Sequence, residues 1–232
     1  MFGITGLVRY GPDRAIRDSL RVPEVLIDVP RLIASVEGST SMNTVPFSPT
    51  FVWTLSPHGR FVAARTDVYA IELTTPGAAA VTRVEMDARP VQVAAAEKAN
   101  LEDVTTSNMR QTDPKWRWNG PPIPDTKPYL RGLSTDYNGR IWVSLSRAGE
   151  EIPVDERAEP RVVNGVTLPV RTWREPSAYD VFAADGRYLG RVPMPPRSTW
   201  RAARGNLVWA VTRDSLDVEQ ITRFRVTPGF ER

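Results

Sequence analysis

The chain contains no cysteine and a single histidine, His58. The first absence removes disulfides, zinc fingers, iron–sulfur ligation and thiol nucleophiles, and the second removes any multi-histidine metal centre. Lysine is scarce as well: Lys98, Lys115 and Lys127 are the only three, so 27 of the 30 basic residues are arginines. The net charge is +3 and the isoelectric point about 9.4. No run of even four basic residues occurs, and Asp and Glu alternate with Arg throughout, so the charge lacks the clustering by which nucleic-acid binders are known; no nucleic-acid partner is expected. No apolar run approaches the roughly 20 residues of a membrane helix, which excludes a helical span. The stretch Met1-Phe2-Gly3-Ile4-Thr5-Gly6 lacks the basic and apolar regions of a signal peptide.

What is present is enough for a core: 232 residues, of which 41% are hydrophobic, amount to roughly one or two ordinary domains. Apolar and polar residues alternate in Arg60–Arg65, Arg140–Leu145 and Asn206–Val211, the pattern of half-buried strands. Punctuation comes from 21 prolines and 15 glycines. Helical periodicity is confined to Gln92–Arg110, where Val93, Ala96, Leu101 and Val104 form one face. The class is all-β with a short helical insertion.

The strands repeat. Ser56-Pro57-His58-Gly59-Arg60-Phe61-Val62-Ala63 matches Asp136-Tyr137-Asn138-Gly139-Arg140-Ile141-Trp142-Val143, and more loosely Ala203 to Ala210. Each reads as strand, tight turn, strand, with Asn-Gly or Gly-Asn supplying the positive φ of a two-residue hairpin turn. A second hairpin follows, cleanest in Tyr179 to Val192 around Asp185-Gly186, and repeated in Tyr69 to Met86 and Leu7 to Val22; Ile221 to Val226 supplies its first strand alone. Four antiparallel strands per unit, repeated in this order of two unlike hairpins, predict β-propeller blades rather than a two-sheet sandwich.

The Asp-x-x-Gly-x-Ile-Trp-Val pattern at Asp136–Val143 and the Tyr-Asp-Val-Phe-x-x-Asp-Gly-x-Tyr-Leu-Gly pattern at Tyr179–Gly190 resemble the bacterial six-bladed propellers related to NHL-repeat and TolB-like proteins. The likeness covers most of residues 47–228 and implies blade architecture and an exported or periplasmic home, but no chemistry. Residues 1–28 read as an outer half-blade, 47–90 as a full blade, 128–195 as an enlarged full blade and 197–228 as three strands of another, which makes about three to four blades. Closed propellers need about four to eight, so residues 1–232 are expected to form a single partial propeller domain, the C-terminal part of a longer ring. Two insertions interrupt it: a helical and Trp/Pro-rich one over 94–127, and a β-hairpin insertion over 149–176 built around Asn164-Gly165.

Candidate chemistry is sparse. His58 sits where sister repeats carry ordinary turn residues, and no Gly-x-Ser-x-Gly elbow nominates a serine nucleophile. Glu150, Glu151, Asp155 and Glu156 could bind calcium, but Arg147, Arg157 and Arg161 beside them make solvated ion pairing the commoner explanation. No catalytic residue, metal ligand or cofactor is expected. Trp116, Arg117 and Trp118 are the one ligand-binding candidate, since aromatic faces with an interleaved guanidinium can stack a sugar, base or peptide aromatic. The alternative is that one tryptophan plugs the loop onto the sheets while the other shields an edge. Trp142 and Trp209 occupy equivalent strand positions and are expected to pack between blades. The function this supports is a non-catalytic scaffold binding a protein or small ligand through its loop face. The competing reading is a lactonase-like or lyase-like propeller hydrolase whose site lies partly in further blades.

Overall fold

The computed structural model describes residues 6–76, 80–163, 166–214, 218–227 and 229–230. Two hairpins come first: β1 (Gly6–Tyr10) with β2 (Ile16–Arg21), and β3 (Arg31–Val36) with β4 (Ser39–Thr44). Sheet I follows, an antiparallel meander of β5 (Phe51–Leu55), β6 (Phe61–Arg65), β7 (Ala70–Thr74) and β8 (Val81–Glu85). The next segment holds β9 (Val91–Gln92), the helix α1 (Ala95–Arg110) and β10 (Thr126–Lys127), with β9 and β10 paired so that they pinch the insertion off at its base.

Sheet II begins with β11 (Leu130–Thr135) and β12 (Ile141–Leu145). The second insertion then contributes β13 (Glu150–Glu151), β14 (Val162–Val163), β15 (Val166–Thr167) and β16 (Trp173–Arg174). The expected hairpin is present as the β14–β15 pair, although its Asn164-Gly165 turn lies outside the described residues. Strands β17 (Ala178–Phe182) and β18 (Tyr188–Pro193) complete sheet II as the four-stranded order β11-β12-β17-β18. Sheet III has three strands, β19 (Ser198–Arg204), β20 (Leu207–Arg213) and β21 (Glu219–Arg225). The fold is thus all-β, with antiparallel sheets of two to four strands and one α-helix among the described residues. That helix is neither long nor apolar enough to cross a membrane.

The three sheets pack face to face in chain order. Residues of β6 and β7 (Val62, Ala64, Ile71, Leu73) meet Ile141, Val143 and Phe182 on one side of sheet II. The opposite side of sheet II, through Trp142, Tyr179 and Val181, meets Ala203, Val208 and Ala210 of sheet III. Because both faces of sheet II are covered, its middle strands β12 and β17 are apolar almost throughout instead of alternating with polar residues. The first strands β5 and β11 run side by side, and Thr135 Oγ1 donates to Leu55 O at 3.3 Å.

One expected packing role is corrected. Trp142 is fully buried between sheets II and III, but Trp209 is only half-buried. In β20 the residues turned toward sheet II are Val208 and Ala210, and Trp209 projects from the opposite face, which register with β21 shows it shares with Val211 and Ile221. Ile221 there is 79% exposed. The turn chemistry is corrected too. Gly205-Asn206 forms a two-residue connection with Gly205 at φ +56. Asn138-Gly139 does not: it lies within a longer turn closed by Gly139 N–H on Asp136 O, with only Gly139 at positive φ, +76. The cause is Asp136, whose carboxylate accepts from the backbone N–H of Asn138 and of Arg140 and so builds the turn from its first residue.

Candidate functional site

Strand direction puts both insertions at one end of the sheets. Strand β5 runs from Phe51, paired with Arg65, to the turn at 56–59, and β11 runs from Leu130, paired with Leu145, to the turn at 136–139. The chain therefore enters β11 and leaves β12 at the same end, and the 94–127 and 149–176 segments both attach there. The opposite end holds the short turns, which close on one another. Tyr137 N–H donates to Ala203 O, Gly205 N–H to Asn138 Oδ1 at 2.8 Å, and Arg60 to Ala184 O at 2.7 Å. His58 belongs to this turn end, packed against Gly139, where a Cβ would lie 2.6 Å from its ring.

At the insertion end the two segments are locked together by a buried joint. The buried stripe of α1 is Glu97, Leu101, Thr105 and Met109, four residues at helical spacing. This corrects the expected face, since Ala96 is exposed and Val104 only half-buried. Leu101 and Met109 pack with Leu32, Ala34, Val45, Trp116 and Ile123, so the β3–β4 hairpin, which the repeat pattern did not anticipate, seats the helix. Glu97, in the first turn of the helix, accepts from Lys127 at 2.6 Å, and Lys127 reaches Glu175 of the other insertion at 3.2 Å. The Lys127 side chain is 0% exposed and lies 4.8 Å over the ring of Phe47. Glu175 also accepts the Arg147 N–H at 2.8 Å.

Asn100 repeats the link one helical turn further on, donating to Val170 O at 3.0 Å and accepting from Thr172 N–H at 2.9 Å. Gly149 makes the close approach possible: a Cβ there would fall 2.6 Å from the Glu97 carboxylate. Sequence reading missed this joint. The signal available was that Lys127 is one of three lysines in an arginine-rich chain and that Glu97 stands at helical spacing from Leu101.

The tryptophan cluster is divided between core and rim. Trp116 is 4% exposed, sits in the helix-hairpin core and donates its indole N–H to Ile33 O at 2.8 Å. Trp118 is half-buried, edge-on to Trp116 with ring centroids 6.3 Å apart, and donates to Pro121 O at 2.8 Å. Arg117 between them is exposed. Asn119 adds a two-way clamp on Ile33, donating at 2.7 Å and accepting at 3.3 Å. The two indole N–H groups are therefore spent on the protein's own carbonyls, and the accessible part of the cluster is Arg117 with one side of Trp118. Trp118→Ala is expected to lower stability by about 1–2 kcal/mol, the share of an indole's burial that a half-exposed ring enjoys, as read by a urea melt. A wild-type midpoint would show that the ring covers nothing.

Two of the acidic residues of the second insertion are engaged in ion pairs: Glu151 with Arg157 at 2.6 Å, and Glu156 with Arg174. Among the described residues no group of three or more His, Asp or Glu has the arrangement of a metal site.

A second buried polar set ties sheet I to sheet II. Asp180, in the middle of β17, accepts both guanidinium N–H groups of Arg191 at 2.8 and 2.9 Å, the hydroxyl of Tyr188 at 3.2 Å and the hydroxyl of Tyr69 from sheet I. Burial foremost, and then the Asp180 carboxylate, push the phenols of Tyr69 and Tyr188 upward. Burial does the same for Tyr179. Above the ordinary tyrosine value of 10.0 the unfolded chain loses these protons while the folded chain keeps them, so stability complete below that pH is lost as pH rises beyond it. Alkaline titration followed by tyrosinate absorbance is thus expected to show a delayed cooperative step coinciding with unfolding. Smooth titration of all six tyrosines near their ordinary value would contradict this burial.

Clefts open at the insertion end, three of them of about 450 Å³ or more. One of about 730 Å³ lies between α1 (Asp103, Ser107, Arg110) and the second insertion (Val166, Leu168, Pro169). Another, about 560 Å³, is lined by Asp67, Tyr69, Glu85, Asp87 and Tyr129. The third, about 450 Å³, lies between the 174–177 segment and the entry to β19. No protein-family model, curated protein or solved structure matches the chain.

Proposed function

We propose that sheets I to III are consecutive blades of a β-propeller and that the chain is a non-catalytic scaffold taking a small ligand at its insertion end. The observation that carries this reading is that both long insertions rise from one end of the sheets and are joined there through Lys127 and Asn100. Loops on a rigid scaffold are where recognition concentrates, and loops already locked in place forfeit less ordering entropy when a ligand arrives. The clefts at this end, about 450 to 730 Å³, match the size of small-molecule sites.

The blade reading is supported by the repeated strand order, the face-to-face packing in sequence and the side-by-side first strands β5 and β11. The motif resemblance to six-bladed NHL-type and TolB-like propellers agrees with it. The non-catalytic reading is supported by His58, the chain's one imidazole, standing at the turn end away from all three clefts.

A thermal-shift screen of small molecules, with hydrogen-exchange footprints of the hits, tests the assignment. Protection is expected in residues 97–110, 127–131, 147–176 and 195–201. Footprints confined to the turns at 56–59, 136–139 and 205–206 would overturn it, and turnover of an ester or lactone by the folded chain would replace it with the hydrolase reading.

A further inference from the structure

We infer that a smaller cleft at the insertion end, between the entries to sheets I and II, is a site for a neutral polyhydroxylated ring, a monosaccharide or cyclic polyol. The inference rests on the preceding reading that a small ligand enters at this end, and it names one cleft and the class of ligand.

The cleft encloses about 210 Å³ and is bordered by the hydroxyl residues Ser48, Thr50, Thr66 and Ser146, by Glu175 and Arg131, and by Phe47. Drug-sized pockets run to roughly 300–1,000 Å³, so this space admits a single small ring and not a chain of them. Four of these residues stand where the sheets begin or end: Thr50 precedes β5, Thr66 follows β6, Arg131 opens β11 and Ser146 follows β12. Their backbones are tied down, with Thr66 N–H donating to Thr50 O at 2.9 Å and Ser146 N–H to Tyr129 O at 3.2 Å.

The hydroxyls of this site are not spent on the protein. Thr66 is 1% exposed and Ser146 5%, and hydroxyls so enclosed ordinarily find partners inside the fold. Thr66 Oγ1 accepts the Thr50 N–H at 2.8 Å, and its own proton finds no acceptor among the described residues. The hydroxyl of Ser146 takes part in no hydrogen bond among the described residues at all. A buried polar group without a partner is costly, and at the wall of a cleft the cost is relieved from the cleft.

The charges around the site cancel. Arg131 and Glu175 are the only charged residues of its lining, 3.9 Å apart, and behind Glu175 stand Lys127 and Glu97. Two cations and two anions favour neither sign of ligand. Glu175 accepts, Arg131 donates and the four hydroxyls do either, which is the set that neighbouring hydroxyl groups on an uncharged carbon ring require.

Phe47 supplies the apolar side. Pro46 and Phe47 form the corners of a turn closed by Ser48 N–H on Val45 O at 3.2 Å, and Phe47 has φ +61. Proline followed by positive φ is the type II arrangement, whose third position favours glycine. A bulky residue held there strains the backbone, and such strain gathers at ligand sites. Its result here is an aromatic ring beside the cleft, oriented by Lys127 Nζ 4.8 Å from its centroid. An aromatic face packs against the C–H face of a sugar while the hydroxyls bond around the rim.

The test is an amide-shift titration of the isotope-labelled full chain with glucose, galactose, mannose and myo-inositol, each up to about 50 mM. The variants are Ser146→Ala, Arg131→Ala and, as a control on α1 in the 730 Å³ cleft, Ser107→Ala, each first shown to melt like wild type. If either of the first two fails that check, the other carries the comparison. Saturable binding of at least one ligand is expected with Kd about 1–10 mM, its shifts centred on residues 47–50, 66, 131 and 146. Ser146→Ala and Arg131→Ala should each weaken it about three- to tenfold, and Ser107→Ala should leave it unchanged. Binding of a sugar alone assigns a monosaccharide, and of myo-inositol alone a cyclic polyol. Glucuronate, which adds a carboxylate to the same kind of ring, should bind no tighter than the best of the four. Tighter glucuronate binding, no saturable binding of any of the four, or an equal loss in the Ser107 control overturns the inference. Should all four fail while other ligands still protect the insertion end from hydrogen exchange, the binding-face reading stands without this chemistry. Footprints at the turn end would remove that reading itself.

Discussion

Trp142→Ala is expected to destabilise the protein by about 3–5 kcal/mol, the range for emptying a fully buried indole site. Trp142 is 0% exposed, and its ring meets Tyr179, Trp200 and Phe230 at centroid distances of 6.0, 5.7 and 5.8 Å. Its N–H donates to Asp136 Oδ2 at 3.1 Å. The cavity would open between two sheets whose strands are fixed by their own ladders, so little collapse can fill it. Asp136 would keep its bond from Arg140 at 2.7 Å, which confines the loss to packing and one hydrogen bond. Guanidinium melts should show a lower midpoint with an unchanged slope. Trp209→Ala, at the equivalent repeat position but half-exposed, is expected to cost about 1–2 kcal/mol. Similar losses for the two would mean that Trp209 is also covered, and a Trp142 loss below about 1 kcal/mol would mean that sheets II and III do not meet there.

Lys127→Ala is expected to cost about 3–5 kcal/mol by a different route. Removing one member of a buried ionic set leaves its partners charged and unsolvated. Here Glu97 and Glu175 would face each other in a site from which water is excluded, and one oxygen of Glu97 already lacks a partner among the described residues. Lys127→Ala combined with Glu97→Gln should recover a substantial part of the loss, because the double variant buries one charge fewer.

Hydrogen exchange should separate this joint from the sheets. In Lys127→Ala, α1 and the segment 147–172 should exchange faster together, while β12 and β17 keep their protection. Equal acceleration everywhere would show that the joint supports the whole fold and not the insertions alone. A loss within about 1 kcal/mol would show that the lysine is solvated.

The strands, the tight turns and the helix were legible because each depends on neighbours in the chain. Apolar runs in β6, β12 and β20, the positions of the Gly139 and Gly205 turns, and the helical spacing before Arg110 are short-range signals, and the sheets follow the repeat that those signals trace. The β3–β4 hairpin escaped because Arg31–Thr44 belongs to no repeat and shows its purpose only when Leu32 and Ala34 meet Leu101 and Met109.

The sequence by itself determined the all-β class and the consecutive antiparallel order of the strands in sheets I to III, since hydrogen-bond ladders between consecutive strands need only a turn and a periodicity. Tertiary structure alone decided which face each residue turns to a neighbour. Trp142 and Trp209 look alike in sequence, yet one is enclosed by sheet III and the other projects from that sheet's far side. Lys127, Glu97 and Glu175 look like three unrelated charges, and burial makes them one joint. Burial, pairing and register are properties of groups brought together from distant parts of the chain, and a local pattern carries no record of which distant group will arrive.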